Sequence, residues 1–241
     1  MSLELPDPAT VRTLLLDVGG VLVRPSFSRV SEALRAQGVL ASPEALAAAE
    51  NPVKRQLDRR PTAGQAASDE ERGWEYFDAI LERVGVSPSA ATRAALLEVK
   101  AWHDRHNAWD DVLPGVREAL AGFRRLGLRM AVVSNANGTV AVLLQRLELA
   151  PYFQAVVDSA VEGVEKPDPR IFEIALHRLG ADRRTAVHVG DMYEIDVVGA
   201  RRAGVRPVLL DAEGLYPEAD CPRLAALTDL CAHLLNSPPA R

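Results

Sequence analysis

The feature that most constrains the fold is an alternation that begins at Leu113-Pro114-Gly115 and runs to Asp211. Short β-branched runs take turns with helical stretches that end in glycine. Helix 115–126 stops at Gly127, and strand 128–133 leads to Ser134-Asn135. Helix 138–147 precedes strand 155–158, and helix 168–179 stops at Gly180. Strand 185–189 leads to Gly190-Asp191, helix 194–203 stops at Gly204, and strand 206–210 leads to Asp211. Glycine supplies the left-handed residue with which many helices end. Repeated βα units require crossover connections, which predicts an α/β fold with a doubly wound, mostly parallel sheet (a Rossmann-like core). One more strand lies upstream. The run VRTLLLD (11–17) ends at Asp17 and opens a Gly19-Gly20 turn, as a buried strand does.

The chain between these parts is different. Residues 24–110 are rich in Ala, Leu, Glu and Arg, with helical patterns at 27–37, 43–59, 67–84 and 88–106. Ser42-Pro43 and Ser87-Pro88 read as helix starts with proline at the first helical position. Gly38 and Gly85 read as helix stops. The predicted division is therefore a core of residues 1–23 and 111–241 with an all-helical insert over 24–110.

Composition removes several function classes. A net charge of −5 with no long basic run argues against nucleic acid as the main partner. Small anions remain open, because they respond to local charge. The first residues, MSLELPDPATVRT, are acidic and lack an apolar signal core, and no run approaches the roughly 20 apolar residues that span a bilayer. The expectation is a cytoplasmic chain with no membrane partner. Two cysteines, Cys221 and Cys231, cannot build a disulfide framework and have no metal-site companions, so they are expected to be packing residues.

Four polar clusters adjoin strands of the expected sheet: Asp17 to Gly20, Ser134-Asn135, Lys166-Pro167, and Gly190-Asp191 with Asp196. Parallel strands send their C-terminal ends the same way, so the clusters should converge. Asp17 and Asp191 can share Mg²⁺, which prefers carboxylate oxygens. The glycines at 19 and 20 let backbone N–H groups approach an anion. The Ser134 hydroxyl and the amides after it can hold a phosphate oxygen at a helix N-terminus. Lys166 can neutralise anion and nucleophile together. This is equipment for phosphoryl transfer. Each piece alone has a plainer reading. Asp17 can be a turn residue, Ser134-Asn135 a helix cap, Lys166-Pro167 a surface loop, Asp191 an N-cap, and Asp196 part of a solvated face. Four such coincidences in one order favour a site.

The segments LLLDVGGVLV (14–23), VVSNA (132–136), EKPDPRIF (165–172) and VGDMYEIDVVGA (189–200) carry a family resemblance. Over about 17–211 the chain resembles the haloacid dehalogenase-like hydrolases. That resemblance implies that Asp17 attacks phosphorus and becomes an aspartyl phosphate. It implies that Ser134 binds the phosphoryl group, with Gly20 and Asn135 beside it, and that Lys166 steadies it. It implies that Asp191 and the Gly19 carbonyl bind Mg²⁺ while Asp196 supports the metal site. The insert then corresponds to the family's mobile cap. One position departs from the pattern. Most family phosphatases carry a second Asp two residues after the nucleophile, where this chain has Gly19. Dehalogenating relatives also lack that Asp, but they lack the acidic metal motif as well.

The implied function is a Mg²⁺-dependent phosphatase for a small phosphorylated metabolite. The alternatives are a catalytically weak binding protein and a hydrolytic 2-haloacid dehalogenase. Within the insert, Trp74, Tyr76 and Phe77 read as cap core rather than a substrate platform. Trp102 and Trp109 flank His103, Asp104, His106, Asp110 and Asp111, either a solvated helix end or a source of a substitute proton donor. Arg24 is either a hinge residue or a contact for an anionic substrate.

Overall fold

A computed structural model of the chain describes residues 4–59 and 69–236. In chain order, β1 (Thr13–Leu16) and β2 (Val23–Arg24) precede four helices, α1 (Phe27–Ala36), α2 (Pro43–Asp58), α3 (Asp69–Arg83) and α4 (Ala90–His106). Then come β3 (Asp111–Val112), α5 (Val116–Arg125), β4 (Arg129–Ser134), α6 (Val140–Arg146), β5 (Ala155–Asp158), α7 (Ser159–Glu162) and α8 (Pro169–Leu179). The chain continues through β6 (Ala186–Gly190), a π-type turn at Tyr193–Val197, α9 (Val198–Arg202), β7 (Arg206–Leu210), β8 (Arg223–Leu224) and α10 (Leu227–Leu235). Two compact units result. One is the chain up to Arg24 and from Val112 onward; the other is Pro25–Asp111.

The first unit holds a six-stranded sheet in the order β5-β4-β1-β6-β7-β8, with every pairing parallel. Leu14, Leu15 and Leu16 of central β1 are all fully buried, because helices cover both faces of a parallel sheet. Leu15, Ala131, Val133 and Val157 pack with Ile171, Phe172 and Ala175 of α8 and Ala200 of α9. From β1 the chain builds outward through β4 and β5, then reverses through β6, β7 and β8. That reversal puts the end of β1 at a topological switch point, where open α/β sheets bind ligands. Cys221 and Cys231 are free thiols and buried, as packing residues are. Among the described residues, no helix is long and apolar enough to cross a membrane.

The second unit has its own apolar core, with Phe27, Leu34, Leu46, Tyr76, Phe77, Ile80 and Leu96 buried together. Tyr76 and Phe77 meet edge-on at 5.1 Å, so they are core side chains, as expected. Trp74 lies against the Arg93 guanidinium. Trp102 stacks on His106 at 4.1 Å with the Arg29 guanidinium 3.7 Å from its ring. Asp104 pairs with Lys100 at 2.7 Å on the exposed face of α4, and His103 Nδ1 accepts from the Ala108 amide at 3.2 Å.

Several boundaries differ from the sequence reading, for local reasons. The helix expected from Ser87-Pro88 starts at Ala90, because Ser89 and Thr92 form a reciprocal capping box. The helix expected at 138–147 starts at Val140. Gly138 takes a φ of +90°, and both its amide and that of Val140 turn to the Asp158 carboxylate. The helix expected at 194–203 is a π-type turn followed by α9. The part of the 67–84 pattern before Asp69 lies outside the described residues. The β2–β3 pair, β8, α7 and α10 were not foreseen; these elements are short, or lie outside the βα alternation.

Candidate active site

Asp17 follows β1 directly. Its amide donates to the Val189 carbonyl of β6 at 3.0 Å, which extends the sheet register to the site. The turn after it is tight, with the Leu22 and Val23 amides both reaching the Val18 carbonyl. Gly20 sits at φ +81°, a left-handed conformation that suits glycine. Its amide donates to the Val23 carbonyl at 2.7 Å. That bond corrects the expectation that the Gly20 amide faces a phosphate. Gly19 is half-buried and bridges to Val23 in the same turn.

Lys166 arrives from the segment between α7 and α8. Asn135 fixes it there, donating to the Lys166 carbonyl at 2.9 Å and accepting from the Lys166 amide at 2.7 Å. The Asn135 side chain is thus committed to the backbone rather than to a phosphate. Lys166 is 3% exposed. It donates to Asp196 Oδ1 at 2.7 Å and lies 2.9 Å from Asp17 Oδ1. Burial alone would lower its pKa, but the Asp17 and Asp196 carboxylates outweigh that cost and hold it above its ordinary value.

Asp196 is 1% exposed, so it is not on a solvated face. The π-type turn brings it back over the end of β6, with its amide donating to the Met192 carbonyl at 2.8 Å. Its Oδ2 accepts from the Met192 amide at 3.1 Å. Its Oδ1 accepts from Lys166 and lies 3.0 Å from His188 Nε2. Burial pushes this carboxyl up, yet Lys166 and His188 hold it well below the usual carboxylate range. Gly190 makes this approach possible, since a Cβ there would stand 2.1 Å from Asp196 Cγ.

Asp17, Asp191 and Asp196 each place one carboxylate oxygen within 4.8 Å of the others. Asp17 Oδ1 is buried and receives no aligned hydrogen bond, although the Lys166 charge is close. A buried oxygen of this kind suits a cation or an electrophile. Three hard oxygens match the preference of Mg²⁺.

Ser134, 4% exposed, ends β4 beside β1. Three of the amides after it have other partners. Ala136 donates to Ser159 Oγ at 2.9 Å, while Gly138 and Val140 donate to Asp158. The start of α6 is therefore filled by an internal carboxylate, which takes the Gly138 and Val140 amides out of the expected phosphate cradle. The structure brings Asp17, Lys166, Asp191 and Asp196 together, ties Asn135 to Lys166, and leaves Ser134 at the neighbouring strand end.

Sequence reasoning missed two residues. Asp158 organises the loop after Ser134 and is 4% exposed; it was read only as the last residue of a strand. His188 lies mid-strand in β6, fully buried, with Nδ1 3.0 Å from the Leu15 carbonyl oxygen. The signal for His188 was present. An ionisable residue between Val187 and Val189 in a buried strand must find polar partners.

Comparison with known proteins bears on the family and the fold. A family model described as haloacid dehalogenase-like hydrolase matches residues 11–204. Glyceraldehyde 3-phosphate phosphatase of Methanopyrus kandleri is 36% identical over 146 residues, covering 60% of this chain and 61% of that protein's length. Haloacid dehalogenase-like hydrolase domain-containing protein 3 of Bos taurus is 30% identical over 206 residues, covering 83% and 82%. The magnesium-bound HAD-hydrolase YfnB of Bacillus subtilis shares the fold, with a TM-score of 0.66 at 19% identity over 93% of this chain and 99% of that one. 2-Haloacid dehalogenase of Pseudomonas syringae pv. Tomato DC3000 shares it too, with a TM-score of 0.58 at 24% identity over 93% and 98%. The sheet order, the acidic strand ends and the matched residues lead to one conclusion: the chain belongs to the haloacid dehalogenase-like hydrolases.

Proposed function

We propose that this protein is a Mg²⁺-dependent phosphatase for a small phosphorylated metabolite, with Asp17 as nucleophile. The observation that carries the reading is the buried Lys166 ammonium between Asp17 and Asp196, with Asp191 completing an acidic cluster at the switch point. A cation beside a carboxylate that must attack an anion offsets their repulsion. The named relatives support the substrate class. One is a glyceraldehyde 3-phosphate phosphatase, and another, at 33% identity over 154 residues, is a ribulose-1,5-bisphosphate 5-phosphatase of Halopiger xanaduensis.

In this reading an Asp17 oxygen attacks phosphorus, the ester P–O bond breaks, and the leaving alkoxide takes its proton from water. Water then attacks the aspartyl phosphate, releasing phosphate and restoring the carboxylate. Lys166 holds the transferring group, and Ser134 contacts one of its oxygens. Asp191, Asp17 and the Gly19 carbonyl would hold Mg²⁺, with Asp196 orienting the site. The metal supplies charge neutralisation and alignment of the phosphoryl oxygens. Residues 24–110 act as the cap that selects the substrate.

Gly19 favours a second reading, because it offers no side-chain acid for a leaving alkoxide. A halide needs no proton, so hydrolytic dehalogenation is the competitor, and a binding protein without turnover is the other. A screen of phosphorylated metabolites and 2-haloacids, with and without Mg²⁺, separates them. The phosphatase reading expects phosphate release that needs Mg²⁺ and vanishes in Asp17→Asn. Chelator-resistant halide release points to the dehalogenase, and no turnover of any compound points to the binding protein.

A further inference from the structure

We infer that His188 is a positioning residue for Lys166, acting through Asp196. The polar contacts form a closed circuit. The Leu15 carbonyl lies 3.0 Å from His188 Nδ1, and His188 Nε2 lies 3.0 Å from Asp196 Oδ1. Asp196 Oδ1 accepts from Lys166 at 2.7 Å, and Lys166 lies 2.9 Å from Asp17 Oδ1. Leu15 and Asp17 are two residues apart on one segment, so the circuit begins and ends on the same piece of backbone.

His188, Asp196 and Lys166 are each 3% exposed or less, which strengthens their electrostatics and leaves little room for water to substitute for a lost partner. The sheet register sets Leu15 beside His188. The ring itself is held by the edge-on face of Phe172, with centroids 4.9 Å apart at 83°. The Leu15 carbonyl and the Asp196 carboxylate can only accept, so the ring bonds both when each nitrogen carries a proton, and the Leu15 contact fixes how Nε2–H faces Asp196. The Asp196 carboxylate would otherwise be oriented by Met192 and Lys166 alone, and Lys166 would lose its fixed address opposite Asp17. A residue that orients a functional carboxylate from behind is typically worth a 10- to 100-fold effect.

The inference uses the phosphatase reading for its rate measurement only. Its second readout is independent of turnover. The chain contains three lysines, Lys54, Lys100 and Lys166, so a ¹⁵N-lysine spectrum of the side-chain ammonium groups is simple to assign. His188→Phe keeps an aromatic ring beside Phe172 but removes both polar contacts. We expect it to lower kcat by about 10- to 100-fold with KM little changed. The Lys166 ammonium signal should shift or be lost to exchange, while that of Lys100 stays in place. His188→Gln, whose amide can reach Asp196, should restore both, and His188→Asn, whose shorter amide reaches only toward Leu15, should not. The Gln and Asn pair carries the same comparison if His188→Phe does not fold. If the wild-type chain turns over no phosphate ester, a moved Lys166 signal still supports the positioning role while the phosphatase reading falls. A folded His188→Phe protein with an unmoved Lys166 signal overturns the inference, whatever its kcat.

Discussion

Gly190→Ala is the smallest change that should separate a functional Asp196 from a merely buried one. The new Cβ would stand 2.1 Å from Asp196 Cγ, 2.3 Å from its Cβ and 2.4 Å from Oδ2. Ordinary van der Waals contact begins near 3.4 Å, so the carboxylate must retreat by roughly 1 Å. It cannot do so freely, because Oδ1 accepts from Lys166 and Oδ2 from Met192. Overpacking a tight interior typically costs about 1–3 kcal/mol. For a domain of this size that corresponds to a Tm drop of roughly 2–4 °C per kcal/mol. The rate should suffer more, since a misplacement of about 1 Å at a reacting centre is worth about 10²-fold. The assay is Tm together with kcat on the best phosphate ester found. An alanine variant with wild-type kcat would mean that the Asp196–Lys166 geometry does not govern the chemistry, and the reasoning would fail.

Other outcomes follow from the same site. Lys166→Met leaves buried carboxylates without their cation and should cost about 3–5 kcal/mol in denaturant unfolding. The Lys166 pKa is raised above 10.5, so its contribution is whole below that pH and is lost as pH rises through the folded value. The Asp196 pKa is depressed below 3.8, so its contribution is present above that pH and is lost as pH falls through the folded value. The cost of Lys166→Met should therefore be constant from about pH 5 to 10 and shrink at either extreme; a cost that varies through neutrality contradicts the pairing. Without an acid at Gly19, log kcat/KM against leaving-group pKa should fall steeply, because general acid catalysis contributes about 10² to 10⁴-fold. Gly19→Asp should flatten that slope; a flat slope in the native protein would reveal another proton donor. Substitutions at Arg24 or Trp102 should alter activity unequally among substrates, and a uniform loss would remove these residues from substrate selection.

The architecture was legible because its signals are local and periodic. A leucine-rich β1 and glycine-terminated helices announce a parallel sheet before any contact is known. Strand ends then imply convergence of the polar clusters that hold Asp17, Lys166, Asp191 and Asp196, while their separate roles came from the family resemblance. What stayed hidden depends on which partner each polar group finds. Nothing around Gly138 says that Asp158, twenty residues on, will take its amide and shorten α6. Nothing around Gly20 says that its N–H will be spent on Val23. Asp196 was expected at the site, but its stretch was expected to be regular helix, and a π-type turn is what carries its side chain into the interior. His188 was readable in principle, since a buried strand tolerates an imidazole only with polar partners, but those partners are fixed by the pairing of β1 with β6.

The central claim is that the Asp17 carboxylate is the atom group that attacks phosphorus. Borohydride reduces an acyl phosphate to an alcohol, so quenching the enzyme during turnover should convert Asp17 to homoserine. Peptide mapping by mass spectrometry reads that change directly. The account predicts homoserine at position 17 that requires both a phosphate ester and Mg²⁺, and no such product in Asp17→Asn. Steady phosphate release with Asp17 unmodified under the same quench would contradict it.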